Sequence, residues 1–144
     1  MGLLLETAAF GLAFLRESGT PRTGPLALLG AAAFGTVGVL LAWSSIRHLG
    51  KQFRVHAGLY DDHELVRTGP YAIVRHPIYA ALLAMLISTI ALLTSWPMAL
   101  VSLAVFVVGT EIRIRSEDGL LASRFGEEFA EYRERVPAYV PFVR

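Results

Sequence analysis

The residues best placed to do chemistry fall in two clusters. One is His63-Glu64-Leu65-Val66-Arg67-Thr68-Gly69-Pro70-Tyr71 with Arg75-His76-Pro77-Ile78-Tyr79, a polar stretch in a mostly apolar chain. The other is Arg113 with Glu117, four residues apart and therefore on one helix face. Proline fixes φ and lacks an N–H, so Pro70 and Pro77 each mark a turn or a first helical position. Tyr71, Arg75 and His76 are thereby bracketed in a shaped loop. An exposed Arg113–Glu117 pair would be a surface ion pair worth about a few tenths of a kcal/mol. At the inner end of an apolar helix the same pair faces the protein interior or a polar pathway. Glu111 and Arg115 make a second i, i+4 pair.

Several chemistries are unsupported. The chain has no cysteine, which excludes disulfides, thiolate metal sites and cysteine nucleophiles. The histidines show no HxxxH or HExxH spacing, so no metal site is expected. There is no strand-linked GxGxxG, no GxxxxGK[ST] and no GxSxG. A formal net charge of +1 argues against a nucleic-acid partner.

The surrounding elements must hold these groups at a membrane boundary. Hydrophobic residues make up 54% of the 144 and mean hydropathy is +0.52, which points to an all-α, polytopic membrane protein forming one domain. No basic n-region precedes the first apolar run, so a cleaved signal peptide is not expected. Met1–Leu15 is a short or tilted span, or an interfacial helix. Pro25–Ile46 is the clearest crossing helix, with Gly30, Gly35 and Gly38 serving helix packing and Trp43 near one end. Pro77–Thr94 and Pro97–Arg115 follow as an antiparallel pair joined at Ser95-Trp96-Pro97. Three to four transmembrane helices result. Leu120, Leu121, Phe125, Phe129, Tyr132 and Val136 recur at near-helical spacing, which predicts an amphipathic helix over 117–136, or two broken near Gly126. Val136–Phe142 is a proline-pinned extended terminus.

Eleven of the thirteen Lys and Arg fall in 47–75 or from Arg113 onward, and the Ser95–Pro97 turn has none. The positive-inside rule makes both basic segments cytoplasmic. The result is a cytoplasm-facing polar cleft holding Tyr, Arg, His and Glu. It suits a charged ligand from water and an apolar one from lipid.

The loop motif, together with Glu117-Asp118, Leu120-Leu121, Phe125-Gly126-Glu127-Glu128, Tyr132 and Arg135-Val136-Pro137 with Pro141-Phe142, resembles the isoprenylcysteine carboxyl methyltransferase family over roughly 58–142. The resemblance implies an integral-membrane enzyme that uses S-adenosylmethionine, bound where the loop meets the C-terminal helices. By motif position, His63, Glu64, Leu65, Val66, Tyr71, His76, Pro77, Ile78 and Tyr79 would line the cofactor pocket. Glu117 would contact the cofactor, and Arg113 would hold the acceptor's reacting group. His56 falls near a further cofactor contact. The implied organisation is 1–57 as N-terminal helices and 58–144 as the catalytic part. The acceptor would be lipophilic, a prenylated or lipid molecule or peptide, with the carboxylate of an isoprenylcysteine-like group as the methylated atom. Alternatives are a phospholipid or other amine N-methyltransferase, an NADPH-dependent isoprenoid or sterol reductase relative, and a non-catalytic membrane partner.

Overall fold

The computed structural model describes residues 1–15, 24–50 and 64–141. Among them, regular structure is entirely helical. Five α-helices occur: α1 (Gly2–Phe14), α2 (Pro25–Leu49), α3 (Pro77–Leu93), α4 (Trp96–Phe125) and α5 (Glu127–Arg135), with a 3-10 turn at Gly69–Ala72 between α2 and α3. Pro25, Pro77 and Pro97 stand in the first turns of α2, α3 and α4, where their missing N–H has no intrahelical partner to lose. Gly126, at φ +51°, ends α4 and starts α5.

The third apolar run does not stop near Arg115. α4 continues unbroken for 30 residues to Phe125, so Arg113, Glu117 and Asp118 share one helix. The tail is two helical pieces broken at Gly126, the first being the end of α4 and the second α5, beginning at Glu127. By length and composition α2 and α4 are each long enough to cross a membrane, whereas α1 and α3 are shorter apolar helices.

Small residues set the packing. α2 buries one residue every seventh position, Ala31, Gly38 and Ser45, while Leu26, Leu29, Val37, Leu40 and Trp43 on its other faces are exposed. Its narrow stripe lies on α3. A Cβ on Gly38 would meet Met85 Cγ at 2.8 Å and the Ala81 carbonyl oxygen at 3.0 Å. Gly35 faces Ser88, but Gly30 faces open space, so packing accounts for two of these three glycines. α1 packs chiefly on α4 and also touches α3. There Ala9, Ala13, Leu86 and Phe106 form the fully buried core, with Phe10 edge-on to Phe106 at 6.4 Å.

Hydroxyls tie the helices through backbone carbonyls. Ser88 Oγ donates to Ala31 O, Thr94 Oγ1 to Ala13 O and Ser102 Oγ to Ala9 O, each at 2.7 Å. In an apolar setting a hydroxyl must find such a partner.

Candidate functional site

The buried face of α4 changes character along its length. Ala99, Ser102 and Phe106 lead to Gly109, Thr110, Ile114 and Asp118 on the same face. Arg113 and Glu117 flank that face, half-buried. The loop before α3 is folded against this polar end. At Gly69 φ is +59°, and a Cβ there would lie 2.3 Å from Nε2 of His48 at the end of α2. Only glycine fits both the conformation and the contact. Pro70 and Tyr71 are buried in the 3-10 turn that follows.

The C-terminal segment locks the loop in place. Arg75 N–H donates to Pro137 O at 2.9 Å and His76 N–H to Ala138 O at 2.8 Å. Arg75 Nη1 adds a bond to Val136 O at 2.8 Å. From α5, the buried Tyr132 hydroxyl donates to Tyr71 O at 2.6 Å.

His76, the N-cap of α3, lies between two neighbouring carboxylates of α4. Its Nε2 is 2.8 Å from Asp118 Oδ1 and its Nδ1 is 3.4 Å from Glu117 Oε2. Carboxylates only accept, so Nε2 donates to Asp118, and the second carboxylate beside Nδ1 favours the imidazolium. Burial alone would pull the His76 pKa down, but the hydrogen bonds and charges of Asp118 and Glu117 outweigh it and the pKa is raised. Arg75 Nη2 holds the other Asp118 oxygen at 3.2 Å.

Glu117 continues the network. Its Oε1 accepts a short hydrogen bond from the Tyr79 hydroxyl, and Arg113 Nη2 is 3.7 Å away. The Tyr79 oxygen in turn accepts from Arg113 Nε at 2.8 Å, with the guanidinium carbon 5.2 Å from the ring centroid. Arg113 Nη1 reaches Glu6 Oε2 on α1 at 3.3 Å, and Thr110 Oγ1 donates to Glu6 Oε1 at 3.1 Å. Among the described residues, one connected cluster thus joins Glu6, Glu117 and Asp118 to Arg75, His76 and Arg113, with the exposed Arg133 at its edge, 4.0 Å from Asp118.

Of the sequence-predicted site residues, Arg113, Glu117, His76 and Tyr79 meet directly in this cluster. Tyr71 is buried in the loop, and at the start of α3 Pro77 is buried and Ile78 half-buried. Glu64 is exposed and Leu65 and Val66 are half-buried. The neighbouring Arg67 pairs with Glu128 of α5 at 2.6 Å on the exposed side of the loop. His63 and His56 lie outside the described residues. Glu111 faces Tyr139 of the terminal segment. No Glu111–Arg115 ion pair occurs among the described residues.

Sequence reasoning left Asp118 and Glu6 out of the site, and put Arg75 in the loop without giving it a role. Asp118 had a signal, its place beside Glu117. Glu6 had one too, as the only carboxylate in the first apolar run.

Two buried polar atoms in this region have no hydrogen-bond partner among the described residues: Tyr71 Oη and Arg75 Nε. Burial, followed by the neighbouring Tyr132 and the Glu117 charge, raises the Tyr71 pKa, so its hydroxyl stays protonated and able to donate. Unmet donors in the same region as the Glu117 carboxylate fit a ligand with both acceptor groups and a positive centre.

Comparison with known proteins resolves the family. The Isoprenylcysteine carboxyl methyltransferase (ICMT) family matches residues 31–123, which include Tyr71, His76, Tyr79, Arg113 and Glu117. The chain belongs to this family. A protein-S-isoprenylcysteine O-methyltransferase of Schizosaccharomyces pombe is 32% identical over 115 residues, 78% of this chain and 49% of that protein. Protein-S-isoprenylcysteine O-methyltransferase B of Arabidopsis thaliana is 36% identical over 106 residues, 73% of this chain and 51% of that protein. A Cupriavidus metallidurans protein described as cobalt-zinc-cadmium resistance protein CzcN is 39% identical over 80 residues, 56% of this chain and 37% of that protein. The chain therefore spans about half the length, or less, of these curated relatives. Membership in the family and the apolar helices together make it a membrane-associated protein.

Proposed function

We propose that the chain is an integral-membrane methyltransferase that moves a methyl group from S-adenosylmethionine to the carboxylate of an isoprenylcysteine-like acceptor. The observation that carries this is the Arg113–Tyr79–Glu117–His76 cluster, built within the family-matched segment at the polar end of the long apolar α4. The whole chain acts as one domain, with 1–57 anchoring and 58–144 bearing the site. α2, α3 and α4 cross the membrane, α1 enters it as a short fourth helix, and the site faces the cytoplasm. The basic loop and tail support that orientation.

S-adenosylmethionine supplies an electrophilic methyl on a sulfonium cation. Glu117 would pair with the amino group of its amino-acid head, and the Tyr71 hydroxyl and Arg75 Nε would donate to its acceptor atoms. His76 and Tyr79 hold Glu117 ionised and in place. His63, Glu64, Leu65, Val66, Pro77 and Ile78 would complete the pocket wall. Arg113 presents a planar fork for a carboxylate acceptor. Tyr79, through Nε, fixes the plane of that fork.

A carboxylate needs no general base, so this chain's part is to orient the acceptor and exclude water. Orientation of this kind contributes up to about 7–11 kcal/mol to such displacements. A prenyl chain reaches the site from the lipid side, along the apolar faces of the helices. The names of the curated methyltransferase relatives favour this reading over the reductase alternative.

The test is transfer of a labelled methyl from S-adenosylmethionine to S-farnesyl-N-acetylcysteine by the purified chain in lipid nanodiscs. The reading expects label on the acceptor, turnover lost in Arg113→Ala, and donor binding retained in that variant. Full activity of Arg113→Ala would refute the role given to Arg113.

A further inference from the structure

α1 lies outside the family-matched 31–123, yet it carries a buried carboxylate into the cluster. Glu6 is 3% exposed, on a stripe that otherwise holds only Gly2, Ala9 and Ala13. An ionised side chain in such a stripe costs free energy unless it is paired and hydrogen-bonded. Both conditions are met by α4 alone, through Thr110 Oγ1 at 3.1 Å and Arg113 Nη1 at 3.3 Å.

The backbone is shaped for this contact. A Cβ on Gly2 would lie 2.5 Å from Arg113 Cγ and 2.6 Å from the Gly109 carbonyl oxygen. A Cβ on Gly109 would lie 2.8 Å from Leu5 Cβ and 3.1 Å from the Glu6 nitrogen. Two glycines thus bring α1 and α4 into near-backbone contact at the level of Glu6 and Arg113. Tyr79 fixes the Nε end of the guanidinium, and Glu6 braces Nη1.

We infer that Glu6 is a positioning residue for methyl transfer: it braces the Arg113 guanidinium from α1, so that the acceptor carboxylate meets the donor methyl in line. This rests on the acceptor role given to Arg113 above. Glu6 itself touches neither donor nor acceptor. Charge-assisted bracing of a planar fork is geometric control, and small misplacements of a reacting group cost large factors in rate.

The test is a double-variant cycle on the full chain in nanodiscs. Glu6→Gln, Arg113→Lys and their combination are compared for kcat and KM toward S-farnesyl-N-acetylcysteine, and for affinity toward S-adenosylhomocysteine by calorimetry. Glu6→Gln is expected to lower kcat at least tenfold while leaving the S-adenosylhomocysteine Kd within threefold. In the Arg113→Lys background the same change should alter kcat less than twofold, because an ammonium has no planar fork for Glu6 to orient. Equal losses in both backgrounds would make Glu6 an independent structural group and overturn the inference, as would an unchanged kcat. Should Glu6→Gln fail to fold, Thr110→Val removes the second hydrogen bond to the carboxylate and is expected to lower kcat, with Thr110→Ser restoring it; no difference between Val and Ser would also overturn it. Wild-type turnover by Arg113→Lys alone would instead remove the acceptor role from Arg113, a separate and distinguishable failure.

Discussion

Asp118→Asn isolates the charge at the centre of the loop–helix junction. The side chain is 9% exposed. It accepts from His76 Nε2 at 2.8 Å and from Arg75 Nη2 at 3.2 Å. Hydrogen bonds to charged groups contribute about 1.5–3 kcal/mol each. Asparagine keeps the volume and one acceptor oxygen but leaves Arg75 without its counter-charge and His76 with Glu117 alone. The expected loss is therefore about 2–4 kcal/mol, since breaking a buried pair by removing one partner is strongly destabilising. At about 3 °C per kcal/mol for a chain of this size, Tm falls by about 6–12 °C. Intrinsic tryptophan fluorescence during a thermal ramp in detergent reads it directly. Arg133 provides the contrast: its Nε is 4.0 Å from Asp118 and its side chain is 60% exposed. Arg133→Ala should cost no more than about 0.5 kcal/mol. A fall of less than about 2 °C for Asp118→Asn, or equal effects of the two substitutions, would refute the view that buried charge pairing holds the loop to α4.

Three further outcomes are expected. The stability that His76 contributes as imidazolium is present in full below its unfolded pKa of about 6.5 and is lost as pH rises through its raised native pKa. The Tm difference between wild type and His76→Asn should accordingly be largest in mild acid and shrink on the alkaline side, and a difference that grows with pH would contradict the assignment. Gly38→Ala should destabilise measurably because its Cβ meets the Ala81 carbonyl at 3.0 Å, whereas Gly30→Ala, facing open space, should be neutral or gain up to about 1 kcal/mol in helix propensity; paired thermal ramps decide it. Tyr132→Phe should cost about 1–2 kcal/mol by stripping Tyr71 O of its 2.6 Å donor, read as a lowered Tm and a loop more open to proteolysis.

Much of the architecture was legible because it is local. The apolar runs of α2 and α3, the first-turn prolines and the Ser95–Pro97 connection each announce themselves within a few residues. The end of α4 did not, because Arg113 to Asp118 turns polar while the helix continues; composition changed and backbone did not. Arg113, Glu117, His76 and Tyr79 were singled out by motif and position, and the fold brings the four into contact. Glu6 was visible only as an anomaly, since its partner Arg113 stands 107 residues away. The pairing of Arg75 and His76 with Pro137 and Ala138 was equally hidden, being made by backbone groups that no side-chain pattern encodes.

The most direct test of the central claim is calorimetric titration of the purified chain with S-adenosylmethionine, alongside S-adenosylhomocysteine and NADPH. The account predicts saturable binding of the first two and at least tenfold weaker binding in Glu117→Gln. Binding of NADPH alone, or wild-type affinity in Glu117→Gln, would contradict it.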